Sequence, residues 1–144
     1  MRELLGKLLG TRPPVLQVAA LCVDPKTGKL LLITSRGTGR WIIPKGWPMS
    51  GRSASGAALR EAWEEAGVCG TAQEAPVGQF AYSKWHGRGL SIPINVNVYL
   101  IRVTGLDDDY PEASERRREW FTPLEAAELV DEAGLKELLR NIRT

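Results

Sequence analysis

Glu61, Glu64 and Glu65 lie three and four residues apart within residues 46–68, GWPMSGRSASGAALREAWEEAGV. On a helix that spacing places all three carboxylates on one side, within about 100° of arc. Like charges so arranged repel by roughly 0.2–0.5 kcal/mol per pair, even when exposed. A chain that keeps them together has use for a compensating cation. Arg60 offsets part of the charge by reaching Glu64 one turn on. A hard divalent ion offsets far more, because oxygen-only carboxylate clusters suit Mg²⁺ or Mn²⁺. The competing reading is a solvated acidic face, the usual state of a Glu-rich helix. Two features weigh against it. Ala58, Leu59, Ala62, Trp63 and Ala66 imply a helix packed over much of its surface, and a glycine-rich segment leads directly into it.

The helix itself has clear limits. Ser53 or Ser55 can cap its start, good helix formers run over residues 57–66, and Gly67 stands where a left-handed C-cap glycine is expected. Loop and helix together resemble the Nudix box, whose pattern is Gly, five residues, Glu, seven residues, then Arg-Glu-apolar-any-Glu-Glu-any-Gly-apolar. Gly46, Arg60, Glu61, Ala62, Glu64, Glu65, Gly67 and Val68 match in register over 23 residues; Arg52 stands where the family has its first Glu.

The resemblance implies a hydrolase of phosphoanhydrides that uses Mg²⁺, with Mn²⁺ as an alternative. Glu61 and Glu65 would be the principal metal ligands, and Glu64 a further ligand or the base that takes a proton from water. The backbone carbonyl of Gly46 or Lys45 would complete the metal shell, and Arg60 belongs to the same catalytic set. A glutamate from a later loop often joins the family's site, and Glu112, Glu115 and Glu119 are the candidates. With Arg52 in place of a carboxylate, the chain either works with fewer ions or has been turned to ligand sensing or partner binding. The surviving helix glutamates and Arg60 favour retained activity.

Length and composition suit such a domain. The 144 residues are 43% hydrophobic and 25% charged, values ordinary for one globular unit. A net charge of +2 makes nucleic acid an improbable partner. Cys22 and Cys69 are too few for a disulfide framework or zinc site and read as small buried hydrophobes. Neither a membrane span nor a signal-peptide core is evident, so a cytoplasmic location is expected.

Around the helix the chain reads as strands and terminal helices. Residues 1–10, MRELLGKLLG, have leucines at helical spacing and suggest an amphipathic arm, docked on the domain or used to form a homodimer; residues 11–144 form the domain proper. Strands are expected at 15–23, 29–34, 41–44, 75–83, 92–103 and 117–121, and helices at 123–130 and 131–142. Strand pairs flanking one central helix, with helices at the end, suggest a mixed sheet covered on both faces. This agrees with the α/β/α sandwich that the Nudix resemblance implies.

Substrate recognition falls to cations. Arg36, Arg40, Lys45, Arg52 and Arg118 could surround a highly phosphorylated ligand, since guanidinium groups grip phosphate bidentately. Residues 118–121, REWF, and the segments around 34–36 and 40–44 resemble the diphosphoinositol polyphosphate phosphohydrolase branch. That likeness implies a diphosphoinositol polyphosphate or dinucleoside polyphosphate substrate. Oxidised-nucleotide sanitation, ADP-ribose cleavage and removal of a 5′ diphosphate from RNA have no residue that demands them. Tyr82, Trp85 and His86 could also touch substrate, though packing or an ordinary loop position accounts for them equally well.

Overall fold

The computed structural model describes residues 14–86 and 90–143. The arm expected at residues 1–10 and the side chains of Trp85 and His86 lie outside the described part. The elements are β1 (Val15–Val23), β2 (Leu30–Thr34), β3 (Trp41–Ile42), β4 (Lys45–Gly46), α1 (Ala54–Ala66), β5 (Val68–Ala72), β6 (Gly78–His86), β7 (Leu90–Leu106), β8 (Arg118–Phe121), α2 (Pro123–Leu129) and α3 (Ala133–Asn141).

The eight strands form one mixed sheet with the central order β3-β2-β1-β7-β5; β4 also pairs with β1, β6 with β7 and β8 with β2. β1 and β7 run parallel from Val15 opposite Ile94 to Val23 opposite Arg102, and every other pairing is antiparallel. A parallel pair of this kind needs a crossover, and the chain from β2 through α1 to β6 supplies it.

Both sheet faces are covered, as the alternation in β1 requires. Ala19, Leu21 and Val23 point into a core closed by Ala126, Ala127, Val130, Leu135 and Leu139 of the C-terminal helical segment. Val18, Ala20 and Cys22 point the other way, onto Ala57, Ala58, Ala62 and Ala66 of α1. This is the expected α/β/α sandwich. The all-alanine stripe of α1 buries little area per residue. It allows the helix to approach the sheet closely, which brings the glutamates beside it within reach of the strand edges.

Three expectations shift. β5 was not expected, because Cys69-Gly70-Thr71 carries little strand signal; it pairs with β7 across an irregularity at Cys69/Gly70, where a Cβ on Gly70 would strike the backbone of Arg102. β6 begins three residues later than expected, after Pro76. β7 runs to 17 residues, pairing with β6 along its first part and with β5 along its last. Among the described residues, no helix is long and apolar enough to cross a membrane.

Candidate active site

α1 is fixed at both ends. The Ser53 hydroxyl accepts a hydrogen bond from the Gly56 amide at 3.0 Å, which settles the choice of cap, and Ser55 is buried. Gly67 adopts φ 67°, ψ 23° and donates to the carbonyls of Ala62 and Trp63. A glycine is needed here for a second reason: a Cβ would meet the Asp107 carbonyl, the Tyr110 ring and the Arg118 guanidinium. Arg118 reinforces that end, donating to the carbonyls of Ala66 at 2.8 Å and Asp107 at 2.6 Å and pairing with Asp108 at 2.9 Å.

Between the cleft-facing side of α1 and the sheet lies a cleft of about 640 Å³. Glu61 and Glu65 line it together with Lys45 and Gly46 of β4, Arg36 and Arg40 of the β2–β3 loop, Tyr82 and Lys84 of β6, and Glu112 and Arg116 from the turn before β8. β4 is held against β1, Gly46 opposite Val18 and Lys45 opposite Ala19. A Cβ at position 46 would overlap the Glu61 carboxyl group, so glycine allows the β4 backbone and that carboxylate to meet.

The two carboxyl groups on this wall lie close enough to act on each other's protonation. Burial and the nearby carboxylates push Glu65 up to about 9, with Arg116 opposing the shift. Burial raises Glu61 as well, with the Glu64 and Glu112 charges adding to it. Both shifts favour the protonated form, because burial and neighbouring like charge disfavour the carboxylate. Lys45 moves down because it is buried, and Glu132 is the foremost charge opposing that loss of protonation.

The buried cation at this wall is Arg116, whose side chain is 8% exposed. It pairs with Glu112 at 2.9 Å and Glu65 at 3.6 Å and donates to the Thr34 carbonyl at 3.1 Å. Arg36 approaches Glu112 at 3.7 Å and Glu115 at 3.5 Å. The Glu112 amide donates to the Glu64 carbonyl at 3.0 Å, tying this turn to α1.

Of the residues expected from sequence, Glu61, Glu65, Gly46, Lys45, Arg36 and Arg40 are brought together in the cleft. Four are not among its lining residues. Glu64 lies about 100° around the helix from Glu65 and is bonded to Arg60 at 2.8 Å; Arg60 also stacks over Trp63 at 4.7 Å. Arg52 is exposed in the turn before α1. Arg118 spends its guanidinium on the end of α1, as described. Conversely, sequence reasoning left Glu112 undecided among three glutamates and passed over Arg116 in favour of Arg118. No pattern in the sequence separated the two: Arg116 precedes β8 and is placed by Glu112, Glu65 and the Thr34 carbonyl.

The donor set fits a hard divalent cation. It is made of oxygen alone (Glu61, Glu65 and the Gly46 carbonyl), and among the described residues its two neighbouring carboxyl groups lack a cation of their own other than Arg116, which lies 3.6 Å from Glu65. Among the described residues, no three ligand-type side chains converge ready-made on one point. Arg116 and Arg36 draw Glu112 aside, and Arg60 draws off Glu64. The cleft lining carries five cationic side chains against three carboxylates, so the ligand it favours is anionic.

Comparison with known proteins bears on the family. A model of the NUDIX domain matches residues 13–142. Nudix hydrolase 12, mitochondrial, of Arabidopsis thaliana is 32% identical over 124 residues, covering 78% of this chain and 59% of its own. Diphosphoinositol polyphosphate phosphohydrolase 3-beta of Homo sapiens is 33% identical over 118 residues, covering 79% and 68%. The chain spans 54–59% of the three plant relatives. The solved structure of the E. coli dihydroneopterin triphosphate pyrophosphohydrolase superposes with a TM-score of 0.68 at 14% identity, covering 88% of this chain and 93% of that one. At that identity the likeness speaks for the fold.

Proposed function

The chain belongs to the Nudix family, and on that premise we propose that it hydrolyses a diphosphate linkage in a polyphosphorylated small molecule with the help of a divalent metal ion. The observation that carries this reading is the placement of Glu61 and Glu65, beside Gly46, on one wall of a cleft otherwise rich in cations.

Glu61, Glu65 and the Gly46 carbonyl would hold the ion, Mg²⁺ or Mn²⁺. When bound, such an ion neutralises phosphate charge and makes a water acidic enough to be deprotonated near pH 7. Glu112, the remaining carboxylate in the cleft lining, would be the acceptor for a proton from water, whereas Glu64 is bonded to Arg60 and is not among the lining residues. Arg36, Arg40, Lys45 and Lys84 bind the phosphates, which sets the diphosphate in place for displacement at phosphorus. Arg116 keeps Glu65 and Glu112 apart from one another and balances their charge.

The cation set and the relatives named diphosphoinositol polyphosphate phosphohydrolases favour a diphosphoinositol polyphosphate or a dinucleoside polyphosphate as substrate. Arg52, which raised the alternative of a ligand sensor, does not line the cleft. Its presence removes a carboxylate from the family pattern without putting a cation among the others. The test is a panel of diphosphate-containing substrates, with products identified by mass, run with and without Mg²⁺ or Mn²⁺. Metal-dependent release of a phosphorylated product is expected. Tight binding of one ligand with no product across the panel would replace the enzyme by the sensor.

A further inference from the structure

We propose that Glu132 is a positioning residue for the cleft, holding the Arg40 guanidinium in place to receive a phosphate of the substrate. The inference rests on the polyphosphate reading above and names a residue that lies far from the Nudix box in sequence.

Glu132 occupies the N-cap position of α3, where a side-chain acceptor ordinarily takes one of the helix's free amides. It makes no such bond. Its carboxylate, 8% exposed, instead accepts from Arg40 Nη1 at 3.1 Å, across 92 residues of sequence. Asp131 adds a second, exposed carboxylate at 3.9 Å. The backbone of Arg40 is equally fixed: its amide donates to the Ser35 hydroxyl at 3.1 Å, and its carbonyl accepts from the Ser35 amide at 2.8 Å. Both ends of this arginine are therefore tied, one to the close of β2 and the other to the C-terminal helices.

The chemistry suits anion capture. A guanidinium carries five N–H donors in a rigid fork, and an ion pair through Nη1 leaves the others available. Arg40 is 36% exposed and lines the cleft, so those donors have access to a ligand. A carboxylate behind an arginine fixes its direction and removes the rotamer freedom that would otherwise be lost on binding. If Glu132 merely fastened the β2–β3 loop to the helices, its loss would lower stability and leave ligand affinity alone.

The experiment is a double-mutant cycle in the full chain with Glu132→Gln, Arg40→Gln and both together, plus Glu132→Asp. Binding of inorganic tripolyphosphate is read by calorimetry, and KM and kcat are read on a dinucleoside polyphosphate. Loss of one directed charge–phosphate contact predicts about ten-fold weaker tripolyphosphate binding and a KM raised to match in Glu132→Gln, with kcat within about two-fold. Glu132→Asp recovers part of the loss, and the double variant binds no worse than Arg40→Gln alone. Unchanged affinity in Glu132→Gln, or strictly additive losses, overturns the proposal. Should the wild type hydrolyse nothing yet show this coupling in tripolyphosphate binding, the hydrolase reading falls and the role of Glu132 stands. Hydrolysis without the coupling gives the reverse.

Discussion

The carboxyl group of Glu61 occupies the space that a Cβ at position 46 would need. Gly46 is thus required by contact with a functional side chain, since its backbone is not among the glycines with positive φ. What an alanine would displace is the far end of a flexible side chain, so Gly46→Ala should fold with a loss of stability of about 1 kcal/mol or less. Displacing Glu61 from the β4 backbone, in contrast, separates two of the proposed metal donors. Activity should fall on the order of 10²-fold, with weaker Mn²⁺ binding by calorimetry. A Gly46→Ala enzyme with wild-type metal affinity would remove the β4 backbone from the site.

Glu65→Gln should separate stability from activity. Burial and the neighbouring Glu61 favour the protonated form of Glu65, and a glutamine amide can donate to Glu61 in the place of that proton without an ionisable group being buried. The metal-free melting temperature should therefore hold or rise, while turnover drops on the order of 10²-fold or more. Thermal melts alongside a phosphate-release assay check both halves. A melting temperature several degrees lower would mean that Glu65 is needed as an ion in the folded state.

The same pair makes the metal-free protein sensitive to pH, and the sign follows from linkage. Glu65 has its folded value raised from 4.5 to about 9, so between those limits the folded state binds more protons than the unfolded state. Stability is then greatest below the unfolded value and declines as pH rises towards 9, by at most about 1.4 kcal/mol per pH unit for one proton. A divalent ion takes the place of that proton. Its binding should release protons, measurable by calorimetry in buffers of different ionisation enthalpy, and its apparent affinity should climb with pH over the same interval. Proton-independent binding at pH 7 would contradict the raised value of Glu65.

The elements carried by strong periodicity were legible in the sequence: β1, β7, α1 with its Gly67 cap, and the Thr122-Pro123 start of α2, where Thr122 and Glu125 form a full capping box. The sandwich followed from their order. Harder to read were features fixed by partners distant in sequence. β5 exists because β7 offers it an edge, not because Cys69-Gly70-Thr71 favours strand. The glutamates of α1 were identified as a set, yet helix geometry alone could not say that Glu64 would turn to Arg60. Three consecutive arginines go three ways: Arg116 into the cleft, Arg117 over the Trp41 ring at 5.6 Å, Arg118 onto the end of α1. Their identity announced a basic run, and only the partners each meets in the fold assign it a task.

Arg118→Gln tests that assignment. Its Nη1 serves two backbone carbonyls, those of Ala66 and Asp107, and its charge lies over the Tyr110 ring at 5.0 Å. Losing charged hydrogen bonds at a helix C-terminus should lower stability by about 1–3 kcal/mol. KM for the polyphosphate substrate should stay within about two-fold, since the residue does not line the cleft. A large rise in KM with an unaltered melting temperature would return Arg118 to the substrate.

Arg116 should behave in the opposite way, because it is the protein's own cation in the place where a metal ion is expected to act. Its guanidinium is 8% exposed and satisfies Glu65, Glu112 and the Thr34 carbonyl together. Arg116→Met leaves those acceptors without their donor and should destabilise the metal-free protein by about 3 kcal/mol, a fall of roughly 10 °C in melting temperature for a domain of this size. A divalent ion bound between Glu61 and Glu65 meets part of the same electrostatic need. Added Mn²⁺ should therefore raise the melting temperature of Arg116→Met more than that of the wild type, measured side by side at saturating metal. Equal increments in the two proteins would show that Arg116 and the ion serve separate carboxylates.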